Sequence, residues 1–434
     1  MSRAGIDRFL VSSPAGPAAA FLFDHLFAPH GRRERVLGAL ARRSRWLARA
    51  ALAGGRAAEE GLAEAAAVLE RLLAPPPAAG VGPEAGLAAG AGAAEWLLAG
   101  PREEDRRGRF TAWLFPPGAG GRPACRPDRV VKLRREGGAG AALAAEAEAL
   151  ADLARELPQA LGRTVPAVLG HGRLEAAGGA WEVLVLSALP GRSAYVELQA
   201  ALRPARLAAR HLRAAGAWLA GFHRATVRRG SPWSPPPWTE LAPAGEPAPP
   251  AWHRRLEAEL AAAPWPLAAG HGDFWARNVL VPEPGEGPPP GPPLSAEGGL
   301  PGVVDWEHFR SEAPPFEDLF HFAWSYGASF PWRGRRRPPE EAFRRTFLDD
   351  TAVAREVRRY LAAYARETGL DAGALGDLFR VFLLTRAAPR PPRPSRSSAA
   401  SGGGGGRRLA SEERNDWLTF YRLLEGAGRS VFSG

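Results

Sequence analysis

His271-Gly272-Asp273-Phe274-Trp275-Ala276-Arg277-Asn278, running into Val279-Leu280-Val281, is the stretch on which the fold turns. It sets a carboxylate five residues before an amide, on a segment that passes directly into a short apolar strand. After a Pro/Gly-rich insertion the chain reads Val303-Val304-Asp305-Trp306-Glu307, a second carboxylate closing a second apolar strand. Phosphoryl transfer asks for such parts. The γ-phosphate and its divalent ion need hard oxygen ligands, and the attacking hydroxyl needs a carboxylate within hydrogen-bond reach. An Asp and an Asn on one loop can be aimed separately, one at the substrate and one at the metal.

The region before this stretch supplies an independent sign. Lys132, in Val130-Val131-Lys132-Leu133, is the only lysine in a chain whose 56 basic residues are otherwise arginine. Asparagine is scarce as well, and the Arg, Ala, Gly and Pro excess fits a GC-rich coding background. Against that background one lysine survives on an expected strand, ahead of an expected helix from about Ala141 to Leu157 carrying Glu146, Leu150 and Leu153. A compact ammonium suits a phosphate pocket that a planar guanidinium would crowd. Glu146 is the favoured partner, and Glu148 lies on another face of the same helix.

Together the HGDxxxxN and VVDWE segments resemble the catalytic loop and metal motif of the aminoglycoside phosphotransferase and choline kinase-like family, with spacing similar to the HRDxxxxN and DFG elements of protein kinases. Pro315-Phe316-Glu317-Asp318-Leu319 matches the PxxDL segment that follows in that family. The resemblance runs from about Glu95 to Leu384. It implies an α+β, bilobal, protein-kinase-like fold with a strand-rich first lobe and a helical second lobe. It also implies ATP and Mg²⁺, and transfer to a hydroxyl of a small molecule of the aminoglycoside, sugar or amino-alcohol type. By the same resemblance Asp273 is the catalytic base, Asn278 and Asp305 hold metal, and Lys132 contacts the phosphates, positioned by Glu146. His271 braces the catalytic loop, with Glu307 and Asp318 in support. The segment Leu186 to Gly191, with Ala188 and Leu189, fits an interlobe hinge meeting the adenine edge. The loop covering the nucleotide falls near Pro101 to Gly108 and lacks GxGxxG. A catalytically silent kinase-like module stands as the alternative; it would normally lack one of Lys132, Asp273, Asn278 or Asp305.

The order of elements agrees with that architecture. Strands are expected at Glu95–Ala99, Arg109–Phe115, Arg129–Leu133, Val165–Leu169 and Trp181–Ser187. Long helices follow over Pro204–Thr226, Trp252–Ala262, Phe316–Tyr326 and Glu340–Leu383. The expected units are a helical N-terminal extension over 1–80, a nucleotide-binding lobe over 93–190, and a catalytic lobe over 191–434. Proline- and glycine-rich tracts at 231–250, 282–300 and 387–408 read as flexible insertions.

Composition narrows the classes. The lone Cys125 permits no intramolecular disulfide and no multi-cysteine metal site. No apolar run reaches the ~18 residues of a membrane span, and the expected location is the cytoplasm. The net charge of +10 is spread along the chain, mostly as single and paired arginines without a long basic block, so it reads as surface background and not as a nucleic-acid site. From Asp305 onward arginine outnumbers the acidic residues, which weakens the case for a polycationic acceptor.

Overall fold

Which face of the first sheet looks into the cleft is decided by strand register. The computed structural model describes residues 9–11, 21–22, 60–74, 95–100, 108–117, 126–136, 143–176, 179–201, 203–243, 248–282, 302–332, 337–388 and 405–427. Cys125, the expected phosphate-covering loop at 101–107, most of the first 80 residues, and the insertion cores at 283–300 and 389–404 lie outside them.

An antiparallel six-stranded sheet comprises β1 (Phe9–Val11), β2 (Glu95–Ala99), β3 (Arg109–Phe115), β4 (Arg129–Arg135), β5 (Val168–Ala176) and β6 (Gly179–Ser187), in the order β1-β2-β3-β4-β6-β5. Period-two alternation sorts its side chains. Val131, Leu133, Val183 and Val185 join one core with α1 (Glu60–Leu73), which contributes Leu62, Ala65, Val68, Leu69 and Leu72. Leu184 and Leu186 turn to the opposite face, where α2 (Leu143–Glu156) packs Leu143, Ala147, Leu150 and Leu153. Lys132 pairs with Leu184 across β4 and β6, so it shares the α2 face.

The N-terminal segment, expected to be a helical extension, therefore feeds the sheet. Phe9–Val11 pairs with Leu97–Ala99, because a Phe-Leu-Val triplet fits a strand edge and the bare edge of β2 needs a partner. The strand expected at Val165–Leu169 begins at Val168 and continues to Ala176.

The second lobe gathers α3 (Ala194–Ala200), α4 (Pro204–Ala225), α5 (Ala251–Ala262), α6 (Phe316–Ser329), α7 (Ala352–Thr368), α8 (Leu375–Ala387) and α9 (Gly405–Gly426) around one core. Two small antiparallel sheets cross it. One has the order β11 (Gly302–Val303), β10 (Val279–Val281), β7 (Arg192–Ser193); the other has β12 (Arg310–Ala313), β9 (Trp265–Gly270), β8 (Arg228–Trp233). At Gly216, where α4 crosses α7, an added Cβ would fall 2.8 Å from the Tyr360 ring.

Two further departures have local causes. The helix expected over Glu340–Leu383 is interrupted. Thr351 caps α7 by accepting from the Ala354 N–H at 3.0 Å, and Gly369 ends it in the left-handed region at φ 73°. Part of the Pro-rich tract at 231–250 is folded, because Trp233, Trp238 and Leu241 bury themselves in the large core. Among the described residues no helix is long and apolar enough to cross a membrane.

If α1 is integral to the first lobe, Leu69→Ala opens a cavity at a fully buried position and costs about 2–5 kcal/mol in urea unfolding. A change under ~0.5 kcal/mol would mark α1 as a loosely attached appendage.

Candidate active site

Three elements meet at the Lys132 ammonium. Its Nζ donates to Glu146 Oε1 and Oε2, each at 2.7 Å, and to Asp305 Oδ1 at 2.8 Å. β4 supplies the lysine, α2 the glutamate, and the segment after β11 the aspartate. Glu146 is almost wholly buried and also accepts the Trp306 backbone N–H at 3.1 Å. Burial disfavours the ammonium, yet Asp305 and Glu146 raise the Lys132 pKa above the ordinary lysine value. Burial likewise opposes ionisation of Asp305. The charges of Lys132 and Arg109 override it and hold that carboxyl far below its usual range.

Asp305 takes the left-handed region at φ 69°, the one described non-glycine residue to do so. Its neighbour explains the turn. Trp306 is fully buried, its Nε1–H donates to Val303 O at 3.0 Å, and its ring lies 4.5 Å from that of His271. With Trp306 plugged into the core, Asp305 and Glu307 are left toward the cleft. Strain at such a position is kept only where the surroundings over-determine it.

The catalytic-loop candidates form a second cluster. Asn278 Nδ2 donates to Asp273 O at 3.0 Å and to Asp273 Oδ2 at 3.1 Å, which directs the Asn278 Oδ1 acceptor away from Asp273. His271 ties the two motifs together: its Nδ1 accepts from the Asp273 N–H at 3.2 Å and its Nε2–H donates to Val304 O at 3.1 Å. Asp318 holds the start of the loop, accepting from the N–H groups of His271 at 2.6 Å and Gly272 at 3.0 Å. Gly272 sits at φ 78°, and a Cβ there would fall 2.2 Å from His308 O. Only glycine fits that position.

Two residues at the site escaped the sequence reading. Arg109, first in β3, pairs bidentately with Glu307, Nη2 to Oε1 at 3.0 Å and Nη1 to Oε2, and its Nη1 lies 3.9 Å from Asp305 Oδ1. Its register explains the reach, since Thr111 pairs with Lys132 and residues 109 and 111 share a face. In so arginine-rich a chain nothing marked it out. His321 on α6 faces Asp273, with Nε2 3.5 Å from Oδ1, while its Nδ1 accepts from Arg386 at 3.1 Å. Its place three residues after Asp318, on the same helix face, was the available signal. Burial works to raise the Asp273 carboxyl, but the His321 hydrogen bond and the nearby His321 and His271 rings outweigh it and hold the group below its ordinary value. Burial pushes the His321 imidazole down against the pull of Asp273.

Ala188 and Leu189 lie on the connection between lobes and make none of these hydrogen bonds. The Ala188 N–H is already given to Asp128 O at 2.9 Å. Leu189 packs on Gly302, where an added Cβ would fall 2.6 Å from its Cδ1. Glu148 is exposed on α2 and takes no part.

The model of the phosphotransferase enzyme family (APH) matches residues 119–375, more than half of the chain and the whole of the site apart from Arg109 and Arg386. The chain belongs to that family. Among solved structures this phosphotransferase is similar to a glucosamine kinase at 18% identity, over 76% of this chain and 89% of that one, with a TM-score of 0.34. A microcompartment-associated aminopropanol kinase aligns at 15% identity over 77% and 93%, TM-score 0.39. An aminoglycoside phosphotransferase from Alicyclobacillus acidocaldarius aligns at 14% over 74% and 90%, TM-score 0.36. No curated protein sequence matches the chain.

In this phosphotransferase Lys132→Met leaves the Glu146 and Asp305 carboxylates facing each other without their cation. The expected loss is about 3–5 kcal/mol at neutral pH by chemical denaturation. Because the folded Asp305 pKa is depressed, the stabilisation it brings is present above the unfolded carboxylate value and lost as pH falls. The gap between variant and wild type should accordingly narrow below about pH 4. A pH-independent gap would assign the loss to packing alone.

Proposed function

We propose that this phosphotransferase moves the γ-phosphoryl group of MgATP to a hydroxyl of a small molecule, with Asp273 as the general base. One observation carries the reading: His271 links the Asp273 loop to Val304, next to Asp305, while Asp305 is bonded to Lys132. A base, a metal-type carboxylate and a phosphate-type ammonium thereby share one cleft between the lobes.

The donor set fits magnesium. Among the described residues no three His, Cys, Asp or Glu side chains form a ready-made metal cage. Mg²⁺ is commonly held by one or two carboxylates together with substrate phosphates and water. Asp305 and the Asn278 Oδ1 would hold it. Once bound, the ion supplies neutralisation of phosphate charge.

Lys132 then serves the phosphates. It leaves the Asp305 oxygen for phosphate oxygens while Glu146 keeps its ammonium in place. Arg109 stands by as a second cation, released from Glu307 as negative charge arrives. Asp273, ionised across the physiological range, accepts the proton of the acceptor hydroxyl as the new O–P bond forms and the bond to the ADP leaving oxygen breaks. His321 orients the carboxylate through Oδ1, and Asn278 steadies Oδ2. For the hinge reading of Ala188 and Leu189, an adenine donor would come from beyond the Ala188 N–H, which Asp128 occupies.

Asp273→Ala should lower kcat by roughly 10²–10⁴-fold, with nucleotide affinity largely retained. Lys132→Ala and Asp305→Ala should weaken MgATP binding, measured by calorimetry. Undiminished turnover in Asp273→Ala would refute its role as base. Acidity gives a further check. His321→Leu removes the bond that lowers the Asp273 pKa, so the acid limb of kcat/KM should move to higher pH, and an unmoved limb would separate His321 from the base.

A further inference from the structure

Between Asp273 and Asn278 the catalytic loop sorts its side chains by exposure. Phe274 and Ala276 are fully buried, whereas Asp273, Trp275 and Arg277 keep part of their surface toward solvent. The last two thus sit on the same loop as the carboxylate that meets the acceptor hydroxyl in the proposed reaction, two and four residues after it.

Arg277 is held by rings. Its guanidinium carbon lies 4.1 Å from the centroid of the Tyr195 ring and 5.2 Å from that of Trp275. The two rings are themselves 6.4 Å apart at 47°. Tyr195 is buried at the start of α3, and its backbone N–H donates to Ala276 O at 2.8 Å, so the platform is fastened to the loop it supports. An arginine stacked by its face keeps its N–H groups, which lie in the guanidinium plane, for an acceptor at the edge.

That acceptor is missing within the described protein. Arg277 Nε and Trp275 Nε1 are both shielded from solvent without a hydrogen-bond partner. Among the described residues Arg277 has no carboxylate within ion-pairing distance, in contrast to Arg109 with Glu307 and Arg210 with Glu197. Desolvated donors without acceptors are unfavourable unless a ligand satisfies them. The phosphate side of the cleft already has its cations, Lys132 and Arg109, on the small lobe. Arg277 is on the large-lobe loop that carries the proposed base, stacked on Tyr195 of α3.

We infer that Arg277 and Trp275 form an acceptor subsite for an anionic group, so that the hydroxyl compound phosphorylated here carries a carboxylate or a phosphate monoester near its reacting hydroxyl. This rests on Asp273 being the base that meets the hydroxyl. A preorganised guanidinium edge beside a ring N–H binds oxyanions through charge-assisted hydrogen bonds and repels ammonium groups.

Matched acceptors test it, with MgATP and ADP release as the readout. Glycerate and glycerol 3-phosphate are compared with glycerol, and gluconate and glucose 6-phosphate with glucose and glucosamine. The two anion classes separate carboxylate from phosphate recognition. In at least one set the anionic member should exceed its neutral and amino counterparts by about tenfold or more in kcat/KM. Arg277→Gln should lower that value by roughly 10–100-fold while KM for ATP stays within about twofold. Arg277→Lys should recover part of the loss, and Arg277→Glu should reverse the order in favour of glucosamine. Thermal melts of each variant separate these effects from unfolding. Preference for neutral or amino acceptors, a rise in KM for ATP in place of the acceptor effect, or no turnover of any anionic compound by wild-type protein that binds MgATP would each overturn the subsite. Failure of wild-type protein to bind MgATP at all would overturn the kinase reading beneath it.

Discussion

A buried ammonium tolerates few surroundings, and the arrangement of the two lobes follows from that intolerance. Lys132 is enclosed between β4, α2 and the segment after β11, and each of the last two brings it a carboxylate. Taking such a charge out of water is costly by several kcal/mol unless close opposite charges and hydrogen bonds compensate. Helix α2 must therefore dock with Glu146 inward, and Asp305 must turn its carboxylate back into the cleft. The Trp306 N–H completes the set by donating to the same Glu146. One cation thus registers the small lobe against the Asp305 segment of the large one.

The Asp273 loop is fixed by a separate hydrogen-bond network made largely with backbone groups. Asp318 takes two successive N–H groups, Gly272 permits the tight turn against His308, and His271 spans from Asp273 to Val304. These contacts leave the Asp273 carboxylate accessible while its backbone is held. Around it, Lys132 and Arg109 concentrate positive charge on the small-lobe side, and Arg277 adds it on the loop itself.

Integration of distant segments gives the protein its shape beyond the site. The edge strand Phe9–Val11 and helix α1 complete the first sheet, one closing an edge and one covering a face. At the other terminus Trp417, Phe420, Tyr421 and Leu424 of α9 enter the large core, where Phe420 stacks on Phe343 with ring centroids 4.6 Å apart. Helices α1 and α9 thus each contribute apolar side chains to the core they flank.

Much of this was legible in the residue order. The HGDxxxxN and VVDWE spacings, the solitary Lys132 and the Glu146, Leu150, Leu153 spacing on α2 pointed to the family, the strand-then-helix order and the meeting of Lys132, Glu146 and Asp305, because those features are local: short periodicities and fixed loop lengths. Arg109, His321 and the Tyr195 platform under Arg277 were not legible. Their roles depend on which strand face, helix turn or loop is brought opposite them, and an arginine among dozens or a histidine on an apolar helix carries no mark of its partner. The same holds for Trp233 and Trp238, whose Pro-rich setting suggested a surface tract until long-range packing drew the rings inward. Local pattern determined the elements and the chemistry on offer; which side chains met, and with what charge around them, was decided by contacts between residues far apart in the chain.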